Sequence, residues 1–87
     1  MKLLRVLTAK GNVMKFTRIT FDPAVMGGRA CIRGMRVTAG TILGLLASNQ
    51  SKKNILDLYP YLEQEDIEEA LRYAAWRLEE IEIPLTA

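Results

Sequence analysis

Residues 51–76 read SKKNILDLYPYLEQEDIEEALRYAAW, and the apolar residues in this stretch repeat at helical spacing. Pro60 lacks the amide hydrogen that would continue a first helix, and it disfavours the α conformation at Tyr59. The stretch therefore predicts a short helix near 51–59 and a longer one near 63–80, joined by a tight turn. Two helices connected so closely cross at a steep angle, which is the helix-turn-helix geometry.

An upstream apolar segment supplies the third helix that this pair needs to bury a core. Thr38 and Ser51 are good N-caps, and Asn49 tolerates the left-handed conformation that ends many helices. These signals predict a helix near 39–48. Helical periodicity then predicts a core made of Ile42, Leu46, Ile55, Leu58, Ile67, Leu71 and Leu78.

Two segments before these helices have the composition of strands. Residues 16–21 (FTRITF) alternate, which predicts a strand with Phe16, Arg18 and Thr20 on one side and Thr17, Ile19 and Phe21 on the other. Residues 29–38 predict a hairpin with Gly34 at a turn position that requires positive φ. Its alternation places Cys31 on the outer face with Arg29 and Arg33. The fold class is therefore mainly α with a small β-ribbon.

The N-terminal residues leave two alternatives open. Weak alternation over residues 3–7 permits a strand, followed by a turn at Gly11-Asn12. Met14-Lys15 repeats Met1-Lys2, so the natural start could instead lie at Met14, with a dispensable extension before it. We divide the chain into an extension (1–13), one helix-turn-helix domain (14–82) and a tail (83–87).

The charge is distributed unevenly along the chain. The formal net charge is +2, but residues 1–53 carry ten Lys/Arg and one acid, whereas residues 54–87 carry two Arg and nine acids. A basic half beside an acidic half suits a polyanion on one side and a different partner on the other. The alternative is that both are solvated faces, which also pair head to tail in a dimer. An apolar content of 49% and a single cysteine are typical of a globular cytosolic protein without an internal disulfide.

Five basic residues are candidates for contacts with DNA. Lys52 and Lys53 follow Ser51 at a helix start, where the dipole favours acids, and this helix meets the phosphate backbone in helix-turn-helix proteins. The hairpin arginines resemble a DNA-contacting wing. Chance surface lysines, and edge arginines that deter strand aggregation, remain alternatives. The candidates are Arg29, Arg33, Arg36, Lys52 and Lys53.

The acids from Glu63 to Glu69 argue against base reading by the third helix, because its first turns would face the phosphates. On a helical wheel centred on Ile67, Trp76 falls opposite the core and is expected to be exposed. We therefore predict a partner or dimer contact made by Tyr73, Trp76 and Arg77. The alternative is that residues 1–13 fold back over Trp76.

No catalytic constellation is present in the sequence. It has no histidine, and its one cysteine has no base partner. Metal-ligand spacing and a phosphate-binding loop are also missing. We expect a protein that is not an enzyme, that uses no cofactor and that does not associate with membranes.

Three short motifs closely resemble the opening signature of domain-of-unknown-function family 433: ITFDP (19–23), VMGGR (25–29) and CIRGMRV (31–37). Residues 51–74 resemble the second half of that family, so the resemblance runs from about Lys15 to Trp76. The chain departs from the pattern at Glu63, where Ser or Thr normally caps, at Lys52-Lys53, where acids are common, and in residues 1–13.

The resemblance implies a homeodomain-like or winged helix-turn-helix fold. Many members look like the antitoxin half of toxin–antitoxin pairs, often beside a PIN-like nuclease toxin. It implies a DNA-binding regulator of the type II antitoxin kind that binds operator DNA and neutralises a PIN-like toxin. We also expect the protein to form a homodimer. The alternative is a non-enzymatic protein-interaction module that has lost DNA binding.

Overall fold

The computed structural model describes the backbone of residues 2–7 and 13–81 and the side chains of residues 15–79. The predicted turn at Gly11-Asn12 and the tail at 83–87 lie outside these ranges. In chain order, the elements are β1 (Lys2–Leu7), β2 (Val13–Phe21), a 3₁₀ turn (Met26–Gly28), β3 (Cys31–Ile32), α1 (Ala39–Ala47), α2 (Lys52–Leu58) and α3 (Gln64–Ile81). The predicted fold class, mainly α with a small β-ribbon, is confirmed, and the arrangement is consistent with a small helix-turn-helix-like domain.

The helix ends are set by capping hydrogen bonds and by one residue with positive φ, as the sequence predicts. The Thr38 hydroxyl accepts a hydrogen bond from the Thr41 amide at 3.0 Å, and the Ser51 hydroxyl accepts one from the Asn54 amide at 3.0 Å. Asn49 has a φ of 66° just after α1. These contacts fix where α1 ends and α2 begins, and α3 follows after a turn.

The sheet has the order β1-β2-β3 and is antiparallel throughout. β1 is the strand that the N-terminal alternation permitted, and β2 is longer than the predicted strand. The predicted hairpin is only partly correct, because β3 has two residues and Thr38 adds a single bridge to Cys31. Cys31 is 2% exposed, so its predicted place on the outer face is wrong.

The hairpin turn confirms the prediction for Gly34. The Met35 amide donates to the Ile32 carbonyl at 2.8 Å, which closes a turn with Arg33 and Gly34 at its centre. Both central residues have positive φ, 47° and 73°. Such a turn matches the twist of the flanking strands, and glycine adopts it without the strain that a side chain brings.

A bulge interrupts the pairing of β1 with β2. Leu3 pairs with Thr20 while the next residue, Leu4, pairs with Phe16, so residues 17–19 have no partner in β1. The regular alternation predicted for this strand is therefore wrong: Ile19 and Thr20 are both buried. A bulge reorients side chains and frees backbone amides from the ladder, and these amides become important below.

The face of α3 that packs on the sheet differs from the predicted one. Leu71 and Leu78 are 39% and 63% exposed, and Leu58 of α2 is 60% exposed, so their assignment to the core is wrong. Trp76, predicted to lie opposite the core, packs against Phe16 of β2 with ring centroids 6.0 Å apart. The helical wheel predicted the wrong buried face because it was centred on aliphatic residues, whereas the face of α3 that packs on the sheet carries acids and aromatic rings.

The core itself joins the sheet to all three helices. Its fully buried side chains include Ile42 of α1, Ile55 of α2 and Ile67 of α3, which confirms those three predictions. Leu46 packs against this core in a partly buried position. Phe16 contributes the largest of the buried side chains.

Replacement of Phe16 by Ala should lower the free energy of unfolding by about 3–5 kcal/mol, because a fully buried ring is lost. The matched control is Leu71→Ala, which should cost no more than about 1 kcal/mol because Leu71 is partly in solvent. Urea denaturation followed by circular dichroism measures both. A larger loss for Leu71→Ala would contradict the orientation of α3.

Candidate functional site

A buried carboxylate at the start of α3 gathers two arginines from the β-ribbon. Asp66 is 0% exposed. Its Oδ1 accepts hydrogen bonds from Arg18 Nη1 at 2.8 Å and Arg33 Nε at 3.1 Å, and its Oδ2 accepts one from Arg33 Nη2 at 2.9 Å. The two bonds from Arg33 form a bidentate pair, the strongest geometry available to these groups. Segments far apart in the sequence therefore meet at one carboxylate.

The same carboxylate also caps α3. Asp66 Oδ2 accepts a hydrogen bond from the backbone amide of Glu63 at 2.8 Å, and the Glu63 carbonyl accepts one from the Asp66 amide at 3.0 Å. Glu63 stands just before α3, where the resemblance led us to expect a weaker cap. Asp66 is the third residue of α3, and it accepts a hydrogen bond from that amide as the acid of a capping box does.

Glu69, one turn further along α3, satisfies the amides that the bulge leaves without partners in β1. It is 3% exposed, and its Oε2 accepts hydrogen bonds from the backbone amides of Arg18 and of Ile19, the latter at 2.9 Å. Buried backbone amides need acceptors. The Glu69 side chain thus replaces β1 as the hydrogen-bond acceptor for these amides of β2.

The pKa values follow from this geometry. Burial opposes ionisation of Asp66, but the hydrogen bonds from Arg33, the Glu63 amide and Arg18 outweigh it, so the pKa of Asp66 lies below its usual value. Hydrogen bonds to Glu63 and Asp66 raise the pKa of Arg18, and the bond to Asp66 raises that of Arg33. The cluster is therefore ionised at neutral pH.

The structure separates Arg33 from the other four predicted DNA contacts. Arg33 donates to Asp66 and, through Nη2, to the Tyr61 carbonyl at 2.9 Å, so its guanidinium is engaged within the fold. Arg29 and Arg36 both act on the buried Cys31 thiol: burial raises its pKa, and the two arginines lower it. Lys52 and Lys53 are exposed at the start of α2.

The predicted contact residues of α3 do not form one exposed patch. Tyr73 packs edge-on against Phe16 with centroids 5.6 Å apart, and Trp76 lies against both rings. Arg77 is exposed and holds its guanidinium 5.8 Å from the centre of the Trp76 ring. The two aromatic residues thus belong largely to the packing of α3 on the sheet, and Arg77 alone stands in solvent.

Sequence reasoning missed Arg18, Asp66 and Glu69 as a group. It assigned the acids of α3 to caps and solvated faces, and it gave Arg18 no role. One signal was present: Asp66, Glu69, Tyr73 and Trp76 are spaced by three, four and three residues, so they share a helix face. Two acids followed by two aromatic residues on one helix face indicate that the acids make a buried polar contact.

Within residues 15–79, no three His, Cys, Asp or Glu side chains come together as a possible metal site. No helix in the described part of the chain has the length and apolar character needed to cross a membrane.

These elements define a small, mainly helical domain in which a short β-ribbon is held to the third helix by ion pairs with a buried carboxylate. The model of the family described as "Protein of unknown function (DUF433)" matches residues 19–74. The chain belongs to this family. A search of curated proteins found no match.

A solved structure shows the same fold. The crystal structure of a DUF433 member protein from Anabaena variabilis ATCC 29413, at 2.00 Å resolution, is similar to this chain with a TM-score of 0.67 and 33% sequence identity. The match covers 74% of this chain and 63% of the Anabaena chain. The chain thus matches less than two thirds of the length of the Anabaena protein.

Replacement of Asp66 by Asn should cost about 1.5–3 kcal/mol at neutral pH, because two partly exposed arginines lose their charged hydrogen-bond acceptor. The wild type should lose stability as the pH falls below about 4, since an acid whose pKa is lowered by folding stabilises the fold only while it is ionised. The variant should lack that component of the acid transition. Chemical denaturation at a series of pH values measures both effects.

The matched control for this experiment is Glu65→Gln, an exposed acid next to Asp66 on the same helical turn. It should change stability by no more than about 0.5 kcal/mol. If Asp66→Asn behaved like this control, the ion pairs would not stabilise the fold.

Replacement of Glu69 by Ala should leave two amides of β2 without their acceptor, at about 1–3 kcal/mol for each. Glu69→Gln keeps a side-chain oxygen and should be milder. Hydrogen exchange of the Ile19 amide, followed by NMR, should accelerate in the Ala variant much more than in the Gln variant. Equal exchange in both variants would show that the carboxylate does not protect the bulge.

Proposed function

We propose that this protein is a DNA-binding regulator of the antitoxin type, and that its basic surface is formed by Arg29, Arg36, Lys52 and Lys53. The observation that carries the proposal is the division of the basic residues into two groups. Arg18 and Arg33 form ion pairs with Glu63 and Asp66. Among residues 15–79, none of the four proposed DNA contacts has a carboxylate within 4.0 Å.

The internal ion pairs also weaken the argument against DNA binding that the acids of α3 supplied. Glu63 and Asp66 form ion pairs with Arg18, and Glu69 accepts from backbone amides. Only Glu65 and Glu68 of this group remain available to repel phosphate. We therefore assign phosphate contacts to the start of α2 and base contacts to the hairpin, and we give α3 no role in reading bases.

The position of Lys52 and Lys53 suits a phosphate contact. They occupy the first two residues of α2, where the amide ends of the helix already favour an anion. Two lysines there are mildly unfavourable for the isolated helix, so a bound phosphate would remove a local conflict. Arg29 precedes the two-residue strand β3 and Arg36 follows the hairpin turn, and both side chains are exposed.

A second candidate is a protein-interaction module without DNA binding, which the exposed leucines of α3 favour. The two functions are compatible in an antitoxin, which binds its operator and neutralises a toxin, here a PIN-like nuclease. A small nuclease gene next to the gene of this protein, and inhibition of that nuclease by the purified chain, would support this half of the proposal.

The double substitution of Lys52 and Lys53 by Ala should flatten the slope of log affinity against log salt concentration by about two, because each phosphate contact releases about one counterion. Affinity should fall alike on all sequences. The substrates are promoter DNA from the protein's own operon and a scrambled duplex of equal length, and fluorescence anisotropy gives the affinities.

The control for net charge is the double variant Lys15→Ala with Arg72→Ala, which removes two exposed charges elsewhere and should leave the slope unchanged. Arg29→Ala and Arg36→Ala should cost about 1–3 kcal/mol on promoter DNA and less on the scrambled duplex, as base readers do. A wild type without salt-dependent binding would refute the DNA half and leave the interaction module.

A further inference from the structure

An open groove lies between α1 and α3, and residues just before β3 also line it. Its volume is about 610 Å³. Apolar residues line it together with two exposed arginines, which form its basic rim: Leu43, Tyr73, Ala74, Leu78, Arg29 and Arg77. Lys52 and Lys53 do not line it, whereas Arg29 belongs both to the groove and to the proposed DNA-binding surface.

Two leucines next to the groove are exposed on one stripe of α3. Leu71 and Leu78 stand seven residues apart, with Ala74 between them, which is the large–small–large spacing of helices that pack side by side. Exposed leucines that adjoin an apolar groove indicate a contact surface. The alanine would allow a second helix to approach closely.

The charges at the rim of the groove indicate which helix would occupy it. Among residues 15–79, Arg29 and Arg77 at the rim have no carboxylate within 4.0 Å. An occupant should therefore present apolar residues flanked by acids. α3 meets that description itself, because Glu68 precedes Leu71 by one turn and Glu79 follows Leu78.

We propose that the groove is filled by a second copy of this chain, with the leucine stripe of each α3 lying in the groove of the other. One two-fold axis then satisfies both grooves at once, because each copy carries a basic groove and an acidic helix. The groove contains Tyr73 and Arg77 of the predicted α3 contact but not Trp76, and a dimer formed through it needs neither DNA nor a toxin.

Sedimentation velocity of the wild type, from low to high micromolar concentration, should show a monomer–dimer equilibrium. Leu78→Glu should raise the dimer dissociation constant about a hundredfold or more, because a charge would enter the apolar groove. The matched control is Leu58→Glu on α2, which has nearly the same exposure, 60% against 63%, and lies outside the groove. It should leave the dimer intact.

A charge exchange tests the rim independently of the leucines. Arg29→Glu with Arg77→Glu should place acids against acids, and Glu68→Arg with Glu79→Arg should place bases against bases, so each double variant alone should be monomeric. An equimolar mixture should recover a dimer, since both contacts of the mixed pair are then attractive. Circular dichroism of each variant checks that its helices are intact.

A wild type that is monomeric at every concentration would overturn the proposal, and the groove would then serve a different protein. A dimer that survives both Leu78→Glu and the charge exchange would also overturn it, because the interface would have to lie elsewhere. Neither result would affect the phosphate contacts proposed for Lys52 and Lys53, which lie outside the groove and are tested separately on DNA.

Discussion

The ionised carboxylate of Asp66 is the constraint on which the arrangement of this domain depends. It is fully buried, and it receives hydrogen bonds from Arg18 of β2, from Arg33 in the hairpin turn and from the amide before α3. A buried charge is tolerated only with its partners in place. The sheet, the hairpin and the third helix must therefore come together in one relative position for any of these charges to be satisfied.

The ion pairs of Asp66 fix the relative position of the packed elements, which apolar contacts alone would not fix. Aromatic and aliphatic side chains tolerate small shifts of one element on another, whereas a bidentate arginine–carboxylate pair does not. Arg33 holds the hairpin turn against the start of α3. The placement of Arg29 and Arg36 on the ribbon relative to the helices is consequently fixed by an ion pair to which neither of them contributes.

The sequence predicts best those features whose causes are local. The caps at Thr38 and Ser51, the end of α1 at Asn49 and the turn at Gly34 each depend on residues within a few positions, and all four are found as expected. Helix boundaries follow from the same signals.

The rotation of α3 could not be predicted from local signals, because it is set by partners about fifty residues away. Glu69 reaches the amide of Ile19, and Asp66 reaches Arg18. A helical wheel counts aliphatic side chains as core and acids as surface, so it turned the helix with Leu71 and Leu78 inward. The bulge in β2 escaped prediction for the same reason: its amides are matched by a helix that arrives much later in the chain.

The way the bulge in β2 is satisfied also opposes aggregation through strand pairing between molecules. Unpaired amides on a strand edge are a template for any foreign strand, and this is how sheets from different molecules fuse into aggregates. Where β1 leaves residues 17–19 without partners, the amides of Arg18 and Ile19 are already bonded to the Glu69 side chain. A foreign strand would have to displace a buried carboxylate before it could pair at this point, so the gap in the sheet is closed to templated growth.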